Sequence, residues 1–330
     1  MSFIQRGMIL QHKDHKVCME STAGGAFTAI AEYVINNNGV VFGVVIDEDF
    51  KVKHTAIELK EDLYKFRNSK YVQSDVGDSY KSIKSILQSG RMICFSGTPC
   101  QVEGLRTFLG KDYDNLILVD VVCRAVPSPG VWKKYIEMEK QYLGNIQTVR
   151  FRDKTWGYQF STMEIMNSKG KIKRSGSESN QWLRMFLSGM IIRPSCTKCC
   201  FRSYKRNSDF TIWDCFNVFK YDRGFDETKG TTRMLIHSEK GSKIFDDIKE
   251  NFEYKEIKPF ELVEGVNEMV DSPSFHKDRE AFFVDYKKMA LKSVLNRYFP
   301  LTTKRRVKTI VRRILNITGV DVLIKRIISR

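Results

Sequence analysis

Apolar residues recur at helical spacing over residues 26–35, 80–87, 101–109 and 131–142, and short, mostly apolar runs lie between them at 40–46, 91–95 and 116–122. A period near 3.6 predicts helices with one buried face, and short apolar runs bounded by turn residues predict strands buried on both faces. Their alternation predicts an α/β fold built on a largely parallel sheet with covering helices, whose ligands gather at the strand C-terminal ends. Beyond about residue 144 the pattern changes. Segments 148–151 and 161–166 alternate apolar with polar positions, which predicts an antiparallel extension with one exposed face. A Cys-rich loop region follows at 193–215, then polar turns at 222–230 and a strand at 234–237. From Thr303 on, Val307, Ile310, Val311, Ile314 and Leu315 recur opposite Arg305, Arg306, Lys308, Arg312 and Arg313, which predicts a basic amphipathic helix. The organisation expected is an N-terminal extension over 1–20, a main domain over 21–285 with a subdivision near 144, and a basic tail over 286–330.

Composition narrows the class. With 330 residues, 42% hydrophobic and 28% charged, the chain can bury a sizeable core and is not a disordered one. No apolar run approaches the roughly 18 residues that cross a bilayer. The N-terminal residues lack a charged-then-apolar leader with a small-residue end, so a cytoplasmic protein is expected. The 55 Lys and Arg against 39 Asp and Glu leave +16, unevenly placed. From Tyr286 onward 13 basic residues face one acid, Asp321, so the tail holds most of the surplus and the body is nearly neutral. Nucleic-acid binding needs a basic face on the folded body, which this distribution argues against. The tail instead suits an anionic membrane surface.

Eight cysteines in a cytoplasmic chain point to metal or redox chemistry rather than to disulfides. Cys196-Thr197-Lys198-Cys199 has the C-x-x-C spacing that lets two thiolates hold one metal or cluster. Cys100 and Cys123 are the candidates for the remaining ligands, because each lies just past the C-terminal end of a predicted strand, on one rim of the sheet. Four thiolates fit zinc as well as they fit an iron–sulfur cluster. In Ser96-Gly97-Thr98-Pro99-Cys100-Gln101, a capping Thr98 and a proline place Cys100 in the first turn of a helix, where unpaired N–H groups favour a thiolate. Ser21-Thr22-Ala23-Gly24-Gly25 opens another helix with paired glycines that let a phosphate approach the backbone. Lys70, Arg152 and Lys154 are candidates for binding phosphate or an acidic small-molecule substrate, and Asp120 and His237 for handling protons.

These segments together resemble the coenzyme F420 hydrogenase/dehydrogenase beta-subunit family over about residues 20–249. The blocks that carry the resemblance are Ser21-Thr22-Ala23-Gly24-Gly25-Ala26, Ser69-Lys70-Tyr71-Val72-Gln73, Gly97-Thr98-Pro99-Cys100-Gln101, Cys123 with Pro127-Ser128-Pro129, Phe151-Arg152-Asp153-Lys154, Arg193-Pro194-Ser195-Cys196-Thr197-Lys198-Cys199 and Ser208-Asp209-Phe210-Thr211. The resemblance implies a flavoprotein oxidoreductase, with FAD or FMN beside a [4Fe-4S] cluster, passing electrons between a deazaflavin or other reductant and an acceptor. It implies Cys100, Cys123, Cys196 and Cys199 as cluster ligands. Thr22, Gly24, Gly25, Lys70 and Thr98 would lie at the flavin, and Arg152 and Lys154 at the substrate.

The chain departs from the family pattern in three places. No cysteine precedes Cys18, so the ferredoxin-like N-terminal segment of many relatives is missing and a separate donor, such as a ferredoxin or a reductase, is implied. Cys123-Arg124-Ala125 stands where relatives have Cys-His-Gly, and Trp213-Asp214-Cys215-Phe216-Asn217 where they have a Gly-Asp-aromatic-Trp-Gly block, which narrows the room for a deazaflavin. Short members of this kind resemble partners of surface-polysaccharide assembly. The competing expectations are a non-redox enzyme of glycan biosynthesis with a structural zinc, and a scaffold that docks through its basic tail.

Overall fold

A computed structural model describes residues 3–320, so the last ten residues of the basic tail, Asp321 among them, lie outside the described residues. In chain order the strands are β1 (Arg6–His12), β2 (Val40–Ile46), β3 (Val52–Ile57), β4 (Ile93–Gly97), β5 (Leu116–Val121), β6 (Ile146–Asp153), β7 (Thr162–Asn167), β8 (Ile172–Ser175), β9 (Phe210–Cys215), β10 (Thr231–Ile236) and β11 (Phe252–Glu256). The helices are α1 (His15–Glu20), α2 (Ala26–Asn36), α3 (Ser79–Gln88), α4 (Pro99–Leu109), α5 (Pro129–Leu143), α6 (Gln181–Leu187), α7 (Glu239–Ile248), α8 (Pro259–Val263), α9 (Arg279–Lys288), α10 (Leu291–Tyr298) and α11 (Thr303–Ile317).

An eight-stranded sheet runs in the order β11-β1-β10-β9-β5-β4-β2-β3, and β6-β7-β8 form a separate three-stranded sheet. The α/β class, the parallel strands and the antiparallel extension are those the sequence pattern predicts. The strands β2, β4, β5 and β9 pair in parallel through the middle. Antiparallel strands continue the sheet on both sides, β3 against β2 and then β10, β1 and β11 beyond β9. The mostly apolar runs VVFGVVI and LILVDV end up central because only a strand covered on both faces can bury every side chain.

One face of the large sheet carries Met8, Leu10, Val41, Ile117 and Phe210 against α2 and α7. The other face divides. Val40, Phe95 and Leu118 pack under α3 and α4, while Ile9, Leu235 and Leu262 pack near α8. The small sheet closes a further core with α5, α6, α9 and α10 around Trp132, Phe151 and Trp182.

Two boundaries take on structure that hydrophobic periodicity did not suggest. β1 lies in the stretch read as an N-terminal extension, yet it is an inner strand with Met8, Ile9 and Leu10 wholly buried. The stretch read as a basic tail begins with α10, whose Leu291, Val294 and Leu295 are also core. β1 offers an apolar run of only Met8, Ile9 and Leu10, and α10 lies inside a stretch marked mainly by its basic charge. No helix among the described residues is long and apolar enough to cross a membrane.

Gly24 and Gly25 show why their segment needs glycine. A Cβ on Gly24 would stand 2.2 Å from the Leu10 carbonyl oxygen and 2.8 Å from the Thr232 nitrogen, both backbone atoms. Gly25 caps α2 in a left-handed conformation at φ 86°. Gly24→Ala should therefore lose about 3 kcal/mol in urea unfolding followed by circular dichroism, since β1 and β10 would have to move apart. Gly90→Ala, at a left-handed turn with nothing within 4 Å, should lose only about 1 kcal/mol. Equal losses at the two sites would rule out the close approach of Gly24 to β1.

Candidate functional site

The parallel strands β4 and β5 end side by side, with Gly97 opposite Asp120. Thr98 then caps α4 in a capping box with Gln101, Pro99 takes the first helical position, and Cys100 falls in the first turn. Cys123 follows two residues beyond β5. The C-x-x-C pair arrives from far along the chain, on a short turn over Pro194–Lys198. Three backbone contacts lace that turn to the segment after Cys123: Ile192 bridges Pro127, Arg193 N–H donates to the Val126 carbonyl, and Ser128 N–H donates to the Ile191 carbonyl.

The four thiols predicted from the sequence therefore become neighbours. Burial pushes the Cys123 thiol up to about 12, and the thiols of Cys100, Cys196 and Cys199 push the same way against the pull of Arg202. Cys196 is also raised, by burial first and then by Cys100 and Cys199. The Thr98 hydroxyl lies 3.1 Å from the Cys100 sulfur. Arg202 donates to the carbonyls of Arg124 and Glu268, and Arg124 pairs with Glu268 at 3.2 Å, so two guanidinium groups brace the loop. Among the described residues no group of three or more His, Cys, Asp or Glu side chains is placed to hold a single metal ion. The thiols share a site without closing on one atom.

Beneath this loop a polar chain crosses the sheet. Gln5 Nε2 lies 2.8 Å from His237 Nδ1, and His237 Nε2 lies 2.8 Å from Thr211 Oγ1. Thr211 neighbours Asp120 across the β5–β9 pairing, and Ser208 donates to Asp120 Oδ2 at 3.0 Å. Gln5 offers an N–H, so Nδ1 accepts and Nε2 carries the proton, the neutral form of the ring. Burial and the charge of Arg206 push His237 down to about 4. Burial, with Glu103 adding, pushes Asp120 up to about 6 against Arg206, Thr211 and Ser208.

The other predicted residues have partners inside the protein. Lys70 Nζ donates to the carbonyls of Lys65, Phe66 and Arg67, each at 2.9 Å, and its burial lowers it to about 7. Lys154 Nζ donates to the carbonyls of Cys18, Ala23 and Lys229, and is lowered by burial to about 8. An ammonium has three donors, so neither lysine has one left for a phosphate. Arg152 pairs with Asp214 at 3.0 Å and donates to the Tyr71 hydroxyl at 3.1 Å. Thr22 Oγ1 lies 2.9 Å from Ser69 Oγ and accepts from the Ser69 N–H at 2.6 Å, while Gly24 N–H donates to Thr232 Oγ1 at 2.8 Å. The bracing role of Arg202 and the charge of Arg206 beside His237 and Asp120 were not anticipated. Their only signal in the sequence is their position within the Cys-rich stretch.

The family model for the C terminus of the coenzyme F420 hydrogenase/dehydrogenase beta subunit matches residues 90–261, just over half of the chain. A solved structure of a xenon derivative of the F420-reducing [NiFe] hydrogenase complex from Methanosarcina barkeri is similar over 82% of this chain and 96% of that one, at 16% identity and a TM-score of 0.48. No curated protein matches the chain.

Opposed titrations in the polar chain give a pH signature. Native His237 protonates near 4 against an ordinary 6.5, so the unfolded chain takes that proton first, and the stability conferred by the neutral ring is lost as pH falls from 6.5 toward 4. Asp120 works in reverse: its native value near 6 against 3.8 gives stability that is present at low pH and is lost as pH rises through 6. Asp120→Asn should leave the His237 slope unopposed, a loss of about 1.4 kcal/mol per pH unit on acidification, steeper than in the unsubstituted protein. Urea unfolding at a series of pH values checks this, and equal slopes in the two proteins would refute the placement of these groups.

Proposed function

The chain belongs to the coenzyme F420 hydrogenase/dehydrogenase beta-subunit family, and from that premise we propose that it is an oxidoreductase subunit that passes electrons through a cysteine-held [4Fe-4S] cluster. The observation that carries the proposal is the meeting of Cys100, Cys123, Cys196 and Cys199, drawn from three distant segments, at the C-terminal edge of the parallel strands. A single zinc ion draws four sulfurs close around one atom, whereas a cluster of four irons keeps its ligands further apart. Four thiols at one site suit either group by number, and membership of the family favours the cluster.

Bound there, such a cluster supplies one-electron transfer. The four cysteines would hold it, and the rest of the site supplies charge and rigidity. The Arg202 guanidinium pulls the Cys123 thiol toward the thiolate against its burial, and Cys100 stands in the first turn of α4. Lacing of the 192–193 backbone to 126–127 fixes the spacing of the two halves of the site before any group is bound. Cys18, Cys94 and Cys215 are buried elsewhere and Cys200 faces solvent, so a second ligand set does not arise from them.

Flavin fits these residues less well. Thr22, Gly24 and Lys70 are engaged within the protein, and the proposed electron path runs without one. Arg152 and Lys154, saturated by internal partners, do not support a sugar-phosphate substrate at that point.

Anaerobically purified protein should contain about four irons and as much acid-labile sulfide per chain, with a broad absorption near about 400 nm. Serine in place of any one of Cys100, Cys123, Cys196 or Cys199 should remove most of that iron and colour, whereas Cys200→Ser should keep both. Stoichiometric zinc, with no iron or sulfide taken up on reconstitution, would overturn the proposal in favour of a structural metal site.

A further inference from the structure

The last described helix docks the opposite way round from an ordinary surface helix. α11 turns its basic side toward the body: Lys308 pairs with Glu178 at 3.2 Å, Arg312 pairs with the same carboxylate, and Arg305 donates to the Glu178 carbonyl at 3.3 Å. Arg313 lies over the Trp156 ring at 5.0 Å. Glu178 stands in the turn between β8 and α6, and Trp156 just beyond β6, so both anchors belong to the small-sheet half of the molecule.

That docking leaves the apolar stripe outward. Val307 is 53% exposed, Ile310 57%, Val311 47% and Ile314 55%, although a water-soluble helix normally buries this face. At 100° per residue the stripe is flanked by Lys304 on one side and by Arg306 on the other, with Lys308 and Arg313 on the same flanks but engaged with Glu178 and Trp156. A second copy of the chain is a poor occupant, because joining two such stripes sets like charges against each other. An apolar stripe with a cationic rim on both sides matches one surface in particular, the headgroup boundary of a bilayer, where apolar side chains enter the acyl region and the rim meets acidic phosphates.

We propose that α11 is a peripheral membrane-docking element that seats this protein on bilayers rich in acidic phospholipid, with Val307, Ile310, Val311 and Ile314 inserted and the body held behind it through Glu178. The inference stands on α11 and its two anchors and does not depend on the redox reading.

The test is co-sedimentation of the full chain with large unilamellar vesicles, either phosphatidylglycerol mixed with phosphatidylcholine or phosphatidylcholine alone. The mixed vesicles should retain the protein at least tenfold better than the neutral ones, and 0.5 M salt should weaken retention, a salt level at which surface attractions are largely screened. Ile310→Asp combined with Ile314→Asp should cut retention more than tenfold with the urea midpoint unchanged, since neither side chain supports the fold. Lys304→Glu combined with Arg306→Glu, which leaves the Glu178 anchor in place, should do the same. Equal retention of the isoleucine variant, equal binding to neutral vesicles, or a solution dimer that the isoleucine substitutions dissociate would each overturn the proposal.

Discussion

Two cations buried where the small sheet meets the large one hold the parts of this molecule in register. Arg152, on β6, is all but buried and reaches Asp214 on β9, so the small sheet is pinned to the strand that borders the parallel core. Its guanidinium also lies 5.6 Å from the Tyr158 ring centre and 5.3 Å from that of Phe216. Burial works against the charge, but Asp214 and the tyrosines Tyr71 and Tyr158 outweigh it, and the net shift is upward. Removing one partner of such a pair strands the other without compensation, a cost of about 3 to 5 kcal/mol. Lys154, two residues on, ties three separate carbonyls together, which joins α1, the turn that leads into the glycine pair and the loop before β10.

The cysteine site depends on that register. Its four thiols come from the first turn of α4, from just past β5 and from a loop more than seventy residues further on, and nothing local in the sequence brings the last to the first two. The backbone lacing of 191–193 to 126–128 does so, with Arg202 and Arg124 as charged braces. The buried polar chain from Asp120 to Gln5 runs beneath the same loop. It lies on the face of the sheet that also carries the α3–α4 core and the α8 core.

Charge is arranged on the same logic at a larger scale. Internal cations are held by carbonyls and carboxylates, and basic and acidic residues nearly balance over the body. The surplus is exported to the C-terminal end, where it rims an apolar stripe. The cysteine site near the middle and the cationic, apolar element at the end share no residues.

By itself the sequence determined the elements whose neighbours are local. The apolar runs of β2, β4 and β5 and the helices between them were legible because a strand or helix records its burial within a few residues of itself. So were the C-x-x-C spacing and the capped turn that holds Cys100. What the sequence could not show is which distant segments meet. β1 and α10 join their cores through pairings made across the chain, and Lys154, which looks in the sequence like a free phosphate binder, finds carbonyl partners up to 136 residues away. Only the tertiary structure decided those partners, because a hydrogen bond or ion pair across a sheet leaves no periodicity behind it. The outward turn of the apolar face on α11 has the same origin: the amphipathic pattern fixes that one face is apolar, and the position of Glu178 fixes which way that face points.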